Sequence, residues 1–142
     1  MKAAFQLIYA SRAVDEIDNY TLLDILRISR ERNTEVGVTG VLLYDQQTFI
    51  QVLEGEERDV EETFQRITHD NRHTDVITIS TFNIPSRQFG DWSMGFSYVS
   101  PSVPPFDEVN AFFHSKEYLK GISEGRARKI LEGFQNGRWR LN

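Results

Sequence analysis

Gln51 stands in the middle of Phe49-Ile50-Gln51-Val52-Leu53, a run that is otherwise apolar. A carboxamide carries two N–H donors and an acceptor oxygen, so a buried one must find several partners. On an edge strand it would only face water. Inside the fold it would be a relay whose donor and acceptor ends can be exchanged. Tyr9 closes a second apolar run, Ala3 to Tyr9, and reads first as a core aromatic with its hydroxyl at the rim. Asn33 reads as a helix C-cap, and Trp92 and Met94 as core positions of a strand. Taken singly, none of these residues specifies a chemistry.

Other chemistries are excluded more sharply. The 142 residues contain no cysteine, which removes disulfides, thiolate metal sites, thiol nucleophiles and any cysteinyl–cofactor adduct. His69, His73 and His114 lack partners at metal-ligand spacing. Thr39-Gly40 within Gly37-Val38-Thr39-Gly40-Val41 is not followed by the Lys-Ser/Thr of a phosphate loop, and Gly-x-Ser-x-Gly is absent. Sixteen basic against 21 acidic residues give a formal charge of −5, which argues against a basic nucleic-acid binder. The N-terminus is too short and polar for a signal peptide, and no apolar run is long enough to span a membrane. A cytoplasmic protein acting without nucleic acid or membrane is the expectation.

The elements that must position these residues follow from periodicity. Ala3 to Tyr9 is a first strand with Phe5, Leu7 and Tyr9 on one face. A helix capped by Asn19 or Thr21 carries Leu22, Ile25, Leu26 and Ser29, and ends at Asn33 to Gly37. Val38 to Tyr44 and Thr48 to Leu53 form a hairpin around Asp45-Gln46-Gln47. Arg58 to Asp70 is a second helix, with Val60, Phe64 and Ile67 on one face. Asp75 to Phe82 is a fourth strand and Trp92 to Tyr98 a fifth, with Trp92, Met94, Phe96 and Tyr98 on one face. The order βαββαββ predicts an α+β, ferredoxin-like sandwich.

Both helices of that sandwich lie on one face of the sheet, so the other face needs cover. Val109, Phe112 and Phe113 mark one helix, from about Asp107 to Lys120, and Ala127, Ile130, Leu131 and Phe134 mark another. These two C-terminal helices are expected to cap the open face, which divides the chain into a domain over 1–100 and a helical extension over 101–142 after Pro101-Ser102-Val103-Pro104-Pro105. The extension carries a net charge of +2 against −7 for the remainder. Its basic helix face is a candidate docking surface, though a solvated helix face is the favoured explanation of the charge.

Together these residues form a pattern. Leu7-Ile8-Tyr9-Ala10-Ser11, Ser29-x-x-x-Asn33, Gly37-Val38-Thr39-Gly40-Val41-Leu42-Leu43-Tyr44, Phe49-x-Gln51-x-Leu53-Glu54-Gly55, Arg66-Ile67-x-x-Asp70-x-Arg72-His73 and Arg87-x-Phe89-x-x-Trp92-Ser93-Met94 occur in order. Over Phe5 to about Ser100 the chain resembles the BLUF (blue light using flavin) photoreceptors, and specifically their short, single-domain type. The resemblance implies a photoreceptor and not an enzyme, with FAD bound non-covalently between the two helices. Ile25 and Ile67 would sandwich the ring, Asn33 would bond its pyrimidine edge, and Ser29 would lie close by. Arg66, Asp70, Arg72 and His73 would line the opening. Arg32 receives no firm role. Tyr9 and Gln51 would carry the photochemistry, with Trp92 or Met94 alternating in contact with Gln51. The listener would be a downstream signalling protein or a homo-oligomer. The competing expectation from fold alone is a ferredoxin-like small-molecule-binding module or hydrolase without flavin photochemistry, for which no nucleophile or metal site is visible. A module that has lost flavin is a third, opposed by the joint presence of Tyr9, Asn33, Gln51 and Ile67.

Overall fold

The computed structural model describes residues 3–14, 19–90, 94–98 and 125–138. Trp92, the Pro101–Pro105 connection and the helix expected from Asp107 to Lys120 lie outside them. The elements are β1 (Ala4–Ala13), α1 (Asn19–Val36), β2 (Thr39–Asp45), β3 (Thr48–Gly55), α2 (Glu57–Thr68), β4 (His73–Ile84), β5 (Gly95–Tyr98) and α3 (Arg126–Gln135). The strands form one sheet in the order β4-β1-β3-β2-β5. The first four are antiparallel neighbours, and β5 runs parallel to β2 at the edge. This is the α+β, ferredoxin-like arrangement expected from the sequence, with its extra strand.

Period-two alternation assigns each strand residue to a face. Leu7 and Tyr9 of β1, Leu42 and Tyr44 of β2, and Phe49 and Leu53 of β3 pack with Leu26 of α1 and Val60 of α2. The intervening residues Ile8, Val41, Leu43, Ile50 and Val52 form a second core on the opposite face. There they meet Phe89 and the α3 residues Ala127, Ile130, Leu131 and Phe134. Burying each large α3 side chain contributes about 1.5–3 kcal/mol, so this short helix is held mainly by its apolar stripe. Both faces of the central strands are thus dry, and β3 reads as a nearly continuous apolar run.

Four local expectations are corrected. Strand β1 runs four residues past Tyr9, because Ser11 and Arg12 pair with Phe49 and Thr48 of β3, while Arg12 and Ala13 pair with Thr74 and His73 of β4. Tyr9 is therefore mid-strand. Asn33 is not the C-cap: α1 continues to Val36 and stops at Gly37, whose φ of +72° is left-handed. The Val38 N–H then closes on the Asn33 carbonyl at 2.9 Å, the six-residue bond of a Schellman ending. Met94 precedes the fifth strand instead of lying within it. Helix α2 ends at Thr68, which leaves Asp70 in the turn beyond.

The hairpin turn is also unexpected in composition. Gln46 and Gln47 both have positive φ, +49° and +61°, the pattern of a type I′ turn normally built from Asn and Gly. The Gln47 carbonyl accepts the Ala13 N–H at 2.8 Å, so the end of β1 supports a turn that its own residues disfavour.

Gly40 leaves no room for a side chain between β2 and β3. A Cβ built there would sit 1.8 Å from the Val52 carbonyl oxygen, a backbone atom that cannot swing aside. At Gly37 a Cβ would meet no atom within 4 Å, and only the left-handed φ opposes substitution. In urea unfolding, Gly40→Ala is expected to cost about 3 kcal/mol and Gly37→Ala about 1 kcal/mol. Equal costs would contradict the close strand approach.

Candidate functional site

Strands β1 and β3 pair in a register that places Tyr9 directly opposite Gln51. Cross-strand partners project to the same face with Cβ atoms roughly 5 Å apart. The Tyr9 hydroxyl donates to Gln51 Oε1. Gln51 Nε2 donates to Met94 Sδ at 3.3 Å. Because β3 is an interior strand, Gln51 is only 4% exposed, which overturns the wet edge-strand reading. Burial raises the Tyr9 phenol well above its ordinary pKa, and the Asp70 carboxylate pushes in the same direction. Tyr9 is therefore a neutral phenol committed as a donor.

Tyr9 and Gln51 form the floor of a cavity of about 340 Å³, with Met94 packed beside Gln51. Leu42 and Phe49, the same-face neighbours of Gln51, complete the floor. Helix α1 contributes Ile25, Ser29 and Asn33, a stripe at four-residue spacing, with Ile28 and Arg32 beside it. Helix α2 contributes Thr63, Arg66 and Ile67, and the chain beyond it His69, Asp70, Arg72 and His73. All the residues assigned to cofactor binding by resemblance thus line one cavity. Arg32, given no firm role, joins them.

The rim is fixed by its own bonds. Asp70 receives Arg72 Nε at 2.9 Å and the Arg72 backbone N–H at 3.0 Å, and the guanidinium closes a second contact. That guanidinium bond holds the Asp70 carboxyl below the usual carboxylate range, against the opposing effect of burial. His73 is a pillar between elements. Its Nε2 lies 2.6 Å from the Ile67 carbonyl and its Nδ1 2.8 Å from Ser11 Oγ. A carbonyl only accepts, so Nε2 carries the proton, and in neutral imidazole the Ser11 hydroxyl donates to Nδ1. Both ring nitrogens are spent inside the protein, so His73 offers the cavity an edge and not a hydrogen bond.

Thr63 also lies on the cavity wall, and its Oγ1 is buried without a hydrogen-bond partner. An orphan of that kind costs about 1–3 kcal/mol. A largely apolar wall, convergent amides from Asn33 and Gln51, and a cationic rim at Arg66 and Arg72 fit a flat heteroaromatic ring with a polar edge and an anionic tail. Among the described residues no metal-binding cluster occurs, and no helix is long and apolar enough to cross a membrane.

Sequence reasoning missed Thr63, Ile28, Leu42, Phe49 and His69. Leu42 and Phe49 were within reach of the hairpin register, and Ile28 and Thr63 of helical spacing from Ile25 and Ile67. His69 carried no local signal.

The family described as "BLUF: Sensors of blue-light using FAD" matches residues 4–95. The chain belongs to this family of flavin-using blue-light sensors. It is 33% identical over 96 residues to the photoactivated adenylate cyclase subunit beta of Euglena longa, covering 66% of this chain and 11% of that protein. It is 33% identical over 88 residues to the blue light- and temperature-regulated antirepressor BluF of Escherichia coli (strain K12), covering 62% of this chain and 22% of that one. The chain thus spans about a tenth of the cyclase subunit's length. Among solved structures, the dark state of the BLUF protein BlrB aligns with a TM-score of 0.65 at 35% identity, covering 69% of this chain and 74% of that one. The photo-activated state of BlsA aligns with a TM-score of 0.67 at 28% identity, covering 94% of this chain and 92% of that one.

The rim makes an acid-side prediction. The folded Asp70 pKa is depressed, so the stabilisation is present above the unfolded value near about 4 and is lost as pH falls through the folded value. The pair is partly exposed, which limits its worth to about 1 kcal/mol or less. Asp70→Asn removes this pH-dependent part. Its urea midpoint should fall less than that of the unsubstituted protein between about pH 5 and pH 3. Parallel falls would contradict the clamp.

Proposed function

We propose that this chain is a blue-light sensor that binds FAD non-covalently in the cavity and signals through a rearrangement of Gln51. The observation that carries the reading is the buried series Tyr9 O–H to Gln51 Oε1 and Gln51 Nε2–H to Met94 Sδ, whose Tyr9 and Gln51 lie on the floor of a ring-sized cavity. Family membership and the FAD in the family's description support it. Bound flavin supplies blue-light absorption and, once excited, an oxidant strong enough to draw an electron from a phenol.

The residues divide the work. Ile25 and Ile67 pack against the ring, Asn33 bonds its polar edge with Ser29 nearby, and Arg66 and the Asp70–Arg72 pair hold the opening, with His73 fixed beside Tyr9. Tyr9 would lend an electron and then its hydroxyl proton to the excited flavin and regain both on recombination, leaving no net oxidation. Gln51 would be left with donor and acceptor swapped, by rotation of its amide or by tautomerisation, and the donor it then offers the flavin would shift the absorption to the red.

Met94 senses the change directly. In the present arrangement its sulfur receives an N–H from Gln51. Rotation of the amide would turn an acceptor oxygen toward that sulfur and break the contact, whereas tautomerisation would leave the nitrogen there as an imine. A neutral hydrogen bond nets only about 1 kcal/mol, whereas turning a two-state equilibrium decisively takes about 5.5 kcal/mol. Packing must move with it, through Met94 or Trp92 and into β5. Residues 1–100 would then be the flavin-binding unit and 101–142 an extension that passes the change to a partner protein or a second copy. The activity is sensing, with any enzymatic output supplied by that partner.

Tyr9→Phe and Gln51→Ala should each abolish the reversible red shift under blue light while flavin absorption of the purified protein persists. A normal photocycle in either variant would contradict the assigned roles.

A further inference from the structure

Glu54 is a fully buried carboxylate, at 0% exposure, that the photochemistry does not use. It lies three residues after Gln51 on β3, so alternation turns it to the opposite face of the sheet. There it accepts Gln6 Nε2 at 3.0 Å, from its cross-strand partner, and the backbone N–H groups of Gln88 at 2.9 Å and Phe89 at 2.7 Å. Burial raises its pKa, while those donors and the Arg87 charge oppose the rise. A side chain there for packing alone would be apolar. A carboxylate is suited to holding two backbone donors of a loop that would otherwise be buried unpaired.

The loop so held has contacts at both ends. Phe89 is buried in the second core beside Ala127, Ile130, Leu131 and Phe134 of α3. Arg87 donates to the Gly37 carbonyl at 2.6 Å and to Thr39 Oγ1 at 3.1 Å, at the end of the helix that carries Asn33. Further along, the Met94 carbonyl accepts Arg30 Nε from α1 at 2.9 Å, and the Met94 sulfur meets Gln51. Five residues apart in the chain, Phe89 thus lies in the far-face core and Met94 bonds a residue of the cavity floor.

We propose that Glu54 is a positioning residue that fastens Arg87–Phe89 to the sheet, so that a displacement at Met94 reaches α3 through Phe89 instead of dissipating in a loose loop. This inference rests on the blue-light reading above. The carboxylate acts through the loop backbone and does not touch the cavity.

The test uses the full flavin-loaded chain, read by absorption and by amide hydrogen exchange in darkness and under blue light. The unsubstituted protein should show the red shift together with a light-dependent change in exchange over 126–135. Glu54→Met should keep the shift, speed exchange at Gln88 and Phe89 at least about tenfold as their acceptor is lost, and lose the light response of 126–135. Glu54→Gln should restore that response, because its carbonyl can accept both backbone donors while the Gln6 amide turns to receive its NH₂. Should Glu54→Met fail to fold, Phe89→Ala tests the same route from its other end, with the same loss expected. A full response of 126–135 in Glu54→Met or Phe89→Ala overturns the proposal. A red shift in the unsubstituted protein with 126–135 unresponsive overturns it alone, whereas absence of the shift overturns the sensor reading and this inference with it.

Discussion

The hydrogen bond from Tyr9 to Gln51 depends on strand register. Both residues are mid-strand on neighbouring antiparallel strands, and a slip of one residue would send one of the two side chains to the other face. Several devices prevent that slip. Alternating cores reward only one assignment of faces on β1, β2 and β3. The Gln6–Glu54 contact locks the pair three positions along, and the Ala13–Gln47 bond ties β1 to the β2–β3 turn at the far end. The chemistry of the cavity floor is thus a consequence of how the whole sheet is aligned.

The same register explains how a small event acquires reach. Gln51 faces the helices and Glu54 faces α3, so one strand presents polar groups to both layers of the protein. A single amide exchange is worth little by itself. Its leverage comes from being buried where an unmet donor or acceptor is costly, and from a close-packed neighbour, Met94, that must respond to it. Interiors at near-crystalline density transmit such changes because they repack and do not simply yield.

Much of this was legible in the sequence, for physical reasons that can be named. The apolar runs of β1 and β3, buried on both faces, and the 3.6-residue stripe of Val60, Phe64 and Ile67 identified elements and order, since burial imposes those patterns. Polar residues on apolar elements, Gln51 above all, marked the site. What escaped depended on tertiary partners. Asn33 looked like a helix end because it can cap one, but the left-handed turn falls at Gly37. Gln46-Gln47 has no hairpin signature and is held in a type I′ turn by a contact from β1. Nothing local distinguished Glu54, whose partners at Gln88 and Phe89 lie more than thirty residues away. The double commitment of His73 to Ser11 and Ile67 was equally hidden.

The central claim is that one buried amide, oriented toward Tyr9 and Met94, is what illumination rearranges. The most direct measurement is the ¹⁵N-resolved NMR signal of the Gln51 side-chain amide in the flavin-loaded protein, recorded in darkness and under continuous blue light. The account predicts that these resonances move more on illumination than those of the other side-chain amides and return in the dark without bleaching of the flavin. Gln51 signals that stay unchanged while the absorption shifts would contradict it.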